Sequence, residues 1–133
     1  MAEARSIRIP ARLEAVAQFA SVVRKAAEAA ELGELETVEL ELAVVEAANN
    51  IVAHGYRGAS GEIEIRVVED GGVLVELIDT GRPIPSGLLD NPPFASLDAE
   101  SGRGLAIIRS CVDRVDYSSV KGANRLRLFK ARG

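Results

Sequence analysis

The chain holds one cysteine, one histidine and no tryptophan in 133 residues. A single cysteine, Cys111, excludes an intramolecular disulfide and leaves a zinc site built on thiolates without ligands. It sits among Leu105, Ala106, Ile107, Ile108 and Val112, where a small apolar helix residue is expected rather than a reactive thiol. No apolar run approaches the roughly 20 residues of a membrane span, and no apolar leader follows Met1. The expectation is a cytoplasmic chain without a membrane contact. Excess positive charge is also missing. With 16 Lys and Arg against 20 Asp and Glu, the net charge is −4, which argues against nucleic acid as a partner and favours a basic protein surface. Internal repeats and low-complexity tracts are absent too.

What remains is enough for one core, with 47% hydrophobic residues. Residues 1–133 are therefore expected to form a single domain. Residues 5–10 alternate polar and apolar and end in Pro10, as a sheet-edge strand would. Over residues 12–30, Leu13, Val16, Ala17, Ala20, Val23, Ala27 and Ala30 recur at helical spacing, and Gly33 breaks the pattern. A second helix is predicted from Glu34 to about His54, with Val38, Leu42, Val45, Ala48 and Val52 on its inner face and Gly55 closing it. Residues 62–67 and 73–79 alternate with period two across Asp70-Gly71-Gly72, a hairpin signal. Residues 82–101 carry Pro83, Pro85, Pro92 and Pro93 with no sustained period, and so long a connection reads as a lid or binding loop. A helix over 103–112 and a hairpin joining 116–120 to 125–129 complete the chain. The expected class is α+β, a two-layer sandwich with a mixed, mostly antiparallel sheet and helices on one face.

Three short segments carry the chemistry. In Glu46-Ala47-Ala48-Asn49-Asn50, Glu46 and Asn50 lie one helical turn apart, so a proton acceptor and an amide oxygen share a face. Magnesium takes oxygen ligands and keeps several waters, and one amide plus ligand phosphates completes an acceptable shell. Asparagine costs up to about 0.7 kcal/mol against alanine inside a helix; two in succession suggest a site that repays the cost. A solvated polar face is the plainer reading of Glu46 alone. His54, near the helix end, suits capping or exposure, with phosphate contact as the alternative. In Asp79-Thr80-Gly81, a carboxylate ends an apolar strand and can accept from an exocyclic amino group, while Gly81 lets the backbone approach; an ordinary turn is the plainer reading. Gly102-Arg103-Gly104 precedes the last helix, where free backbone N–H groups and the guanidinium favour an anion.

In this order and spacing the segments resemble those of the GHKL ATPase superfamily, and within it the small bacterial anti-sigma factor serine/threonine kinases. The resemblance runs from Ile7 to Lys130, and Pro83 stands where the wider superfamily often has a second glycine. It implies a Bergerat-type ATP-binding fold with ATP and Mg²⁺ as cofactors, and residues 82–101 as the ATP lid. It implies Glu46 as catalytic base and Asn50 as the metal ligand, with Asn49 and His54 close to the nucleotide. It places Asp79 and Gly81 at adenine, and Gly102, Arg103, Gly104 and Leu105 near the phosphates. A sigma factor or an antagonist protein is the implied partner, and a homodimer the implied assembly. Phosphorylation of a small antagonist is the activity expected from it; the alternative is an ATP-sensing interaction module that switches partners without phosphoryl transfer.

Overall fold

The computed structural model describes residues 4–85, 89 and 100–132, and of residues 100–103 the backbone alone. Five strands, β1 (Ala4–Pro10), β2 (Glu62–Glu69), β3 (Gly72–Asp79), β4 (Arg114–Val120) and β5 (Ala123–Ala131), form one sheet in the order β1-β2-β3-β5-β4. Every pairing is antiparallel, which corrects the expected mixed sheet. The reason is topological. A helical crossover after β3 returns the chain with β4 running the same way as β3, but β5 pairs between them, so no parallel ladder forms. The two hairpins close as their turn residues dictate, through Gly71 at φ 68° and through Lys121 and Gly122 at φ 52° and 82°.

A short 3₁₀ turn (Leu13–Ala15) leads into α1 (Ala17–Ala29), so the first helix is shorter than its apolar pattern and Leu13 is exposed. The second helix, α2 (Glu34–Asn50), continues as one wide turn over Ile51–Tyr56. Gly55 does not close it. The chain leaves at Arg57, whose φ of 53° is left-handed and whose N–H donates to Val52 O at 3.2 Å. The third helix, α3 (Glu100–Cys111), begins three residues earlier than the sequence suggested. Most of the expected lid, residues 86–88 and 90–99, lies outside the described residues.

The helices pack on one face of the sheet, over a core of Phe19, Val23, Leu40, Val44, Ile63, Ile65, Val75, Leu77, Ile108 and Leu128, all fully buried. The opposite face is a lattice of charge, with Glu76 facing Arg66, Arg125 and Arg127. The inner face of α2 keeps the expected Ala48, with Val52 in the wide turn after it, but differs from the expected one in its earlier turns. Leu40, Val44, Ala47 and Ala48 are buried, while Val38 and Leu42 point to solvent. Two apolar faces on one helix defeat a periodicity argument, because each alone satisfies the 3.6-residue rule. Among the described residues no helix is long and apolar enough to cross a membrane.

Candidate nucleotide site

The wide turn after Asn50, the exit of β3, the start of α3 and the final hairpin converge on a cavity of about 290 Å³. Its floor is apolar, made by Ala47, Ile51, Leu105, Ile108 and Leu126, and its polar groups are few, as in small-molecule sites generally. Asp79 is the best anchored of them. Its Oδ1 accepts from Gly81 N–H at 2.8 Å and from Asn124 Nδ2 at 2.9 Å. Asn124 also donates to Gly81 O at 2.9 Å and accepts from Ser119 Oγ at 2.6 Å. Asp79 Oδ2 is thereby left for a ligand donor on a residue that lines the cavity. Burial pushes the Asp79 carboxyl above its ordinary value, while the bonds from Asn124 and Gly81 oppose the rise.

Gly81 has an ordinary negative φ, and its role is close approach. A Cβ there would stand 2.7 Å from the carbonyl carbon of Gly55. Arg82 N–H donates to Gly55 O at 2.8 Å, so two glycine backbones lie against each other and fix the β3 exit on the wide turn. Tyr56 secures the same junction, donating to Glu62 O at 2.7 Å and accepting from Thr80 N–H at 3.0 Å. Across the cavity Tyr117 Oη accepts from Ile84 N–H at 2.9 Å, holding the first residues of the long connection.

The other end is unlike this. Asn50 lines the cavity, and its Oδ1 is buried without a hydrogen-bond partner among the described residues. A buried amide oxygen without a donor is costly, and a cation or a ligand donor is what it lacks. No group of three His, Cys, Asp or Glu side chains is gathered for a metal among the described residues. One amide oxygen supplemented by phosphate oxygens and water suits magnesium, so the donor set fits that ion. Glu46 is half-buried one turn earlier and faces α3, its Oε2 lying 3.1 Å from where a Cβ on Gly104 would stand. Neither Glu46 nor Gly104 belongs to the cavity wall, and nor does Asn49.

His54 is exposed at the rim, where Arg57 and Arg82 accompany it. These two arginines, with Asn124 and Tyr117, escaped the sequence reading. Arg82, directly after Asp79-Thr80-Gly81, was the one detectable from position alone. Gly102, Arg103 and Gly104 fall within the first turns of α3 instead of forming a turn ahead of it. Of their backbone N–H groups only that of Gly102 lies ahead of the first intrahelical bond, while those of Arg103 and Gly104 fall inside the ladder; the Arg103 side chain lies outside the described residues. Leu105 is fully buried in the cavity floor. Cys111 is half-buried at the end of α3, its thiol pushed up chiefly by burial.

The sequence pattern of the histidine kinase-like ATPase domain matches residues 9–130. The chain belongs to that family. ATP is the ligand the family implies, and the acceptor at Asp79 with the orphaned amide at Asn50 fits a nucleotide carrying a cation. Among characterised relatives, the anti-sigma F factor of Clostridium acetobutylicum is 31% identical over 99 residues, covering 71% of this chain and 69% of its own length. That of Thermoanaerobacter sp. is 29% identical over 95 residues, covering 68% and 66%. Together with the fold, these place the chain on the anti-sigma kinase branch of the GHKL proteins. The crystal structure of the RsbU and RsbW domains of Rv1364c from Mycobacterium tuberculosis superposes on 97% of the chain with a TM-score of 0.70 at 19% identity. The histidine kinase domain of the blue-light activated kinase EL346 from Erythrobacter litoralis does so over 93%, at 0.60 and 19%. The chain spans 32% and 62% of those two molecules, and at such identity they speak for the fold alone.

Proposed function

We propose that the chain is an ATP-dependent serine/threonine protein kinase of the anti-sigma type, which phosphorylates a small antagonist protein and binds a sigma factor. The observation that carries this reading is the buried Asn50 Oδ1, without a hydrogen-bond partner among the described residues, in the same cavity as Asp79. Asp79 Oδ2 accepts from the adenine amino group, with Gly81 held close by its bond to Asp79 Oδ1. Asn50 holds Mg²⁺, and Glu46 on the same helix accepts the proton of the attacking serine hydroxyl. The start of α3, from Gly102 to Leu105, and the rim residue His54 lie toward the phosphates, while Asn49 flanks the nucleotide on α2. Mg-ATP, when bound, supplies the phosphoryl group, and the protein's part is positioning and electrostatics. Residues 82–101 serve as the lid of a single domain, in a cytoplasmic homodimer.

One observation favours a second reading. Glu46 stands outside the cavity wall, as suits a module that senses ATP and switches partners without transferring phosphate. Calorimetric titration with ATP, with and without Mg²⁺, followed by mass spectrometry of an antagonist-type protein incubated with the chain, separates the two. Magnesium-dependent binding with a phosphoserine whose formation Glu46→Gln slows sharply supports the kinase. Binding without transfer leaves the sensing module, and the absence of binding at millimolar ATP overturns both.

A further inference from the structure

Two phenols stand at the Asp79 end of the site, and they differ in what they have left to give. Tyr56 is spent, since its hydroxyl donates to Glu62 O and accepts from Thr80 N–H. Tyr117 Oη accepts from Ile84 N–H at 2.9 Å, and among the described residues no acceptor takes its own hydrogen. A phenol carries one donor, and here that donor is left over on a half-buried residue that lines the cavity. Burial pushes the phenol above its ordinary value, the Asp79 carboxylate adds to the rise and the Ile84 N–H opposes it, so the hydrogen is kept at neutral pH.

The sheet sets this donor close to Asp79. Because β5 runs between β3 and β4, Asp79, Asn124 and Ser119 form one row across three strands, and Leu77, Leu126 and Tyr117 form the next row on the same face. The other donors of the cavity wall are of another kind: His54, Arg57 and Arg82 are exposed at the rim, where cationic groups suit phosphate rather than a base. Asp79 thus presents an acceptor and Tyr117 a neutral donor. Adenine carries the complement, an amino group with an acceptor ring nitrogen on either side of it. We infer that Tyr117 is a specificity-determining residue for the nucleobase, donating its hydroxyl hydrogen to a ring nitrogen that flanks the amino group held by Asp79. The inference rests on ATP being the ligand of this cavity. A base without that nitrogen leaves the donor unpaired in a desolvated site, which is how hydrogen-bonding pockets reject close analogues.

The experiment compares calorimetric affinities of the full chain for ATP, 1-deaza-ATP and 7-deaza-ATP, in wild type and in Tyr117→Phe. Each analogue keeps the amino group and replaces one flanking ring nitrogen by C–H. One of them is expected to bind wild type about fivefold more weakly than ATP, and Tyr117→Phe to bind that analogue and ATP with nearly equal affinity. Phenylalanine also removes the acceptor of Ile84 N–H, so the variant can weaken every nucleotide alike; only the coupling between residue and analogue reports the hydrogen bond. The wild-type chain gives a second reading that needs no variant to fold. A hydroxyl that donates becomes a better acceptor, so the ¹⁵N amide of Ile84 should shift further with ATP than with the weakened analogue. Equal losses in both chains, no loss with either analogue in wild type, or identical Ile84 shifts with all three nucleotides would overturn the inference while leaving ATP binding in place. Absence of binding by ATP itself would overturn the nucleotide reading, and this one with it.

Discussion

The two ends of the cavity are built on opposite plans. At Asp79 the polar atoms bond to one another: Gly81, Asn124 and Ser119 supply a chain of short hydrogen bonds, and two glycine backbones lock the loop in place. At Asn50 an amide oxygen is buried with nothing to accept from among the described residues, and Glu46 one turn away lies against Gly104 of α3. A wired end recognises a fixed shape, since every donor is already oriented. An end with unspent polar atoms is where a ligand must complete the structure. Substitutions should therefore behave differently at the two ends, and the predictions run from the largest expected effect to the smallest.

Gly81→Ala should be the most damaging. Its Cβ would stand 2.7 Å from the Gly55 carbonyl carbon, 2.8 Å from its oxygen and 3.1 Å from its Cα, all backbone atoms that cannot swing away. A loss of about 3 kcal/mol in denaturant unfolding, together with loss of ATP binding, is expected. An unchanged midpoint would show that the junction is loose and the wired end is not rigid.

Asp79→Asn should divide stability from binding. The asparagine Oδ1 can keep both bonds, from Gly81 and from Asn124, but an Nδ2 donor replaces the acceptor offered to the ligand. Affinity for ATP should fall roughly a hundredfold, the cost of opposing donors in a buried site. The fold should be as stable or more so at neutral pH. Because burial raises the Asp79 pKa, the folded chain holds a proton in the window between the ordinary carboxylate value and the raised one, where the unfolded chain has lost it. Stability from this group is thus lost as pH rises through that window. Any thermal advantage of Asp79→Asn at neutral pH should vanish on acidification below it; an advantage independent of pH would point to a cause other than the charge.

The wired end also marks the limit of what sequence reasoning reached. The strand that ends at Asp79 and the turn that precedes it were legible from alternation and from Asp70-Gly71, and so was the hairpin that bears Asn124. Their meeting was not. It depends on β5 pairing with β3 so that Asp79 stands opposite Asn124, a register between residues 45 apart in sequence that local pattern does not encode. On α2 the reverse happened. Glu46, Asn49 and Asn50 stand out as polar residues in an alanine-rich helix, yet Val38 and Leu42 are misassigned to the inner face, because an exposed apolar line competes with the buried one. Gly102 to Gly104 reads as a turn since glycine is a poor helix residue, but a cost of about 1 kcal/mol per glycine is one that a packed helix absorbs.

At the open end, Asn50→Ala should leave folding intact or improve it, since it removes a buried acceptor without a partner among the described residues. The magnesium dependence of ATP binding should drop about tenfold, read as the ratio of affinities with and without the ion. A fall in stability would mean that Asn50 is bonded in the unliganded chain, and the contrast between the ends would disappear.

Gly104→Ala should have the smallest effect and the most exact meaning. Alanine is the better helix residue by up to about 1 kcal/mol, so the melting temperature should rise. The new methyl would lie 3.1 Å from Glu46 Oε2, tighter than an ordinary contact, and the half-buried carboxylate would yield by a few tenths of an ångström. If Glu46 accepts the serine proton, phosphoryl transfer should slow a few-fold, on the order of what a small misplacement of a reacting group costs, with ATP affinity unchanged. Placed on a Glu46→Gln background, Gly104→Ala should then cost nothing further, because the group it displaces no longer takes the proton. Equal slowing in both backgrounds would assign Gly104 to the path of α3 itself and leave Glu46 without a role in transfer, whereas a slowing that depends on Glu46 ties the two residues to one reacting position.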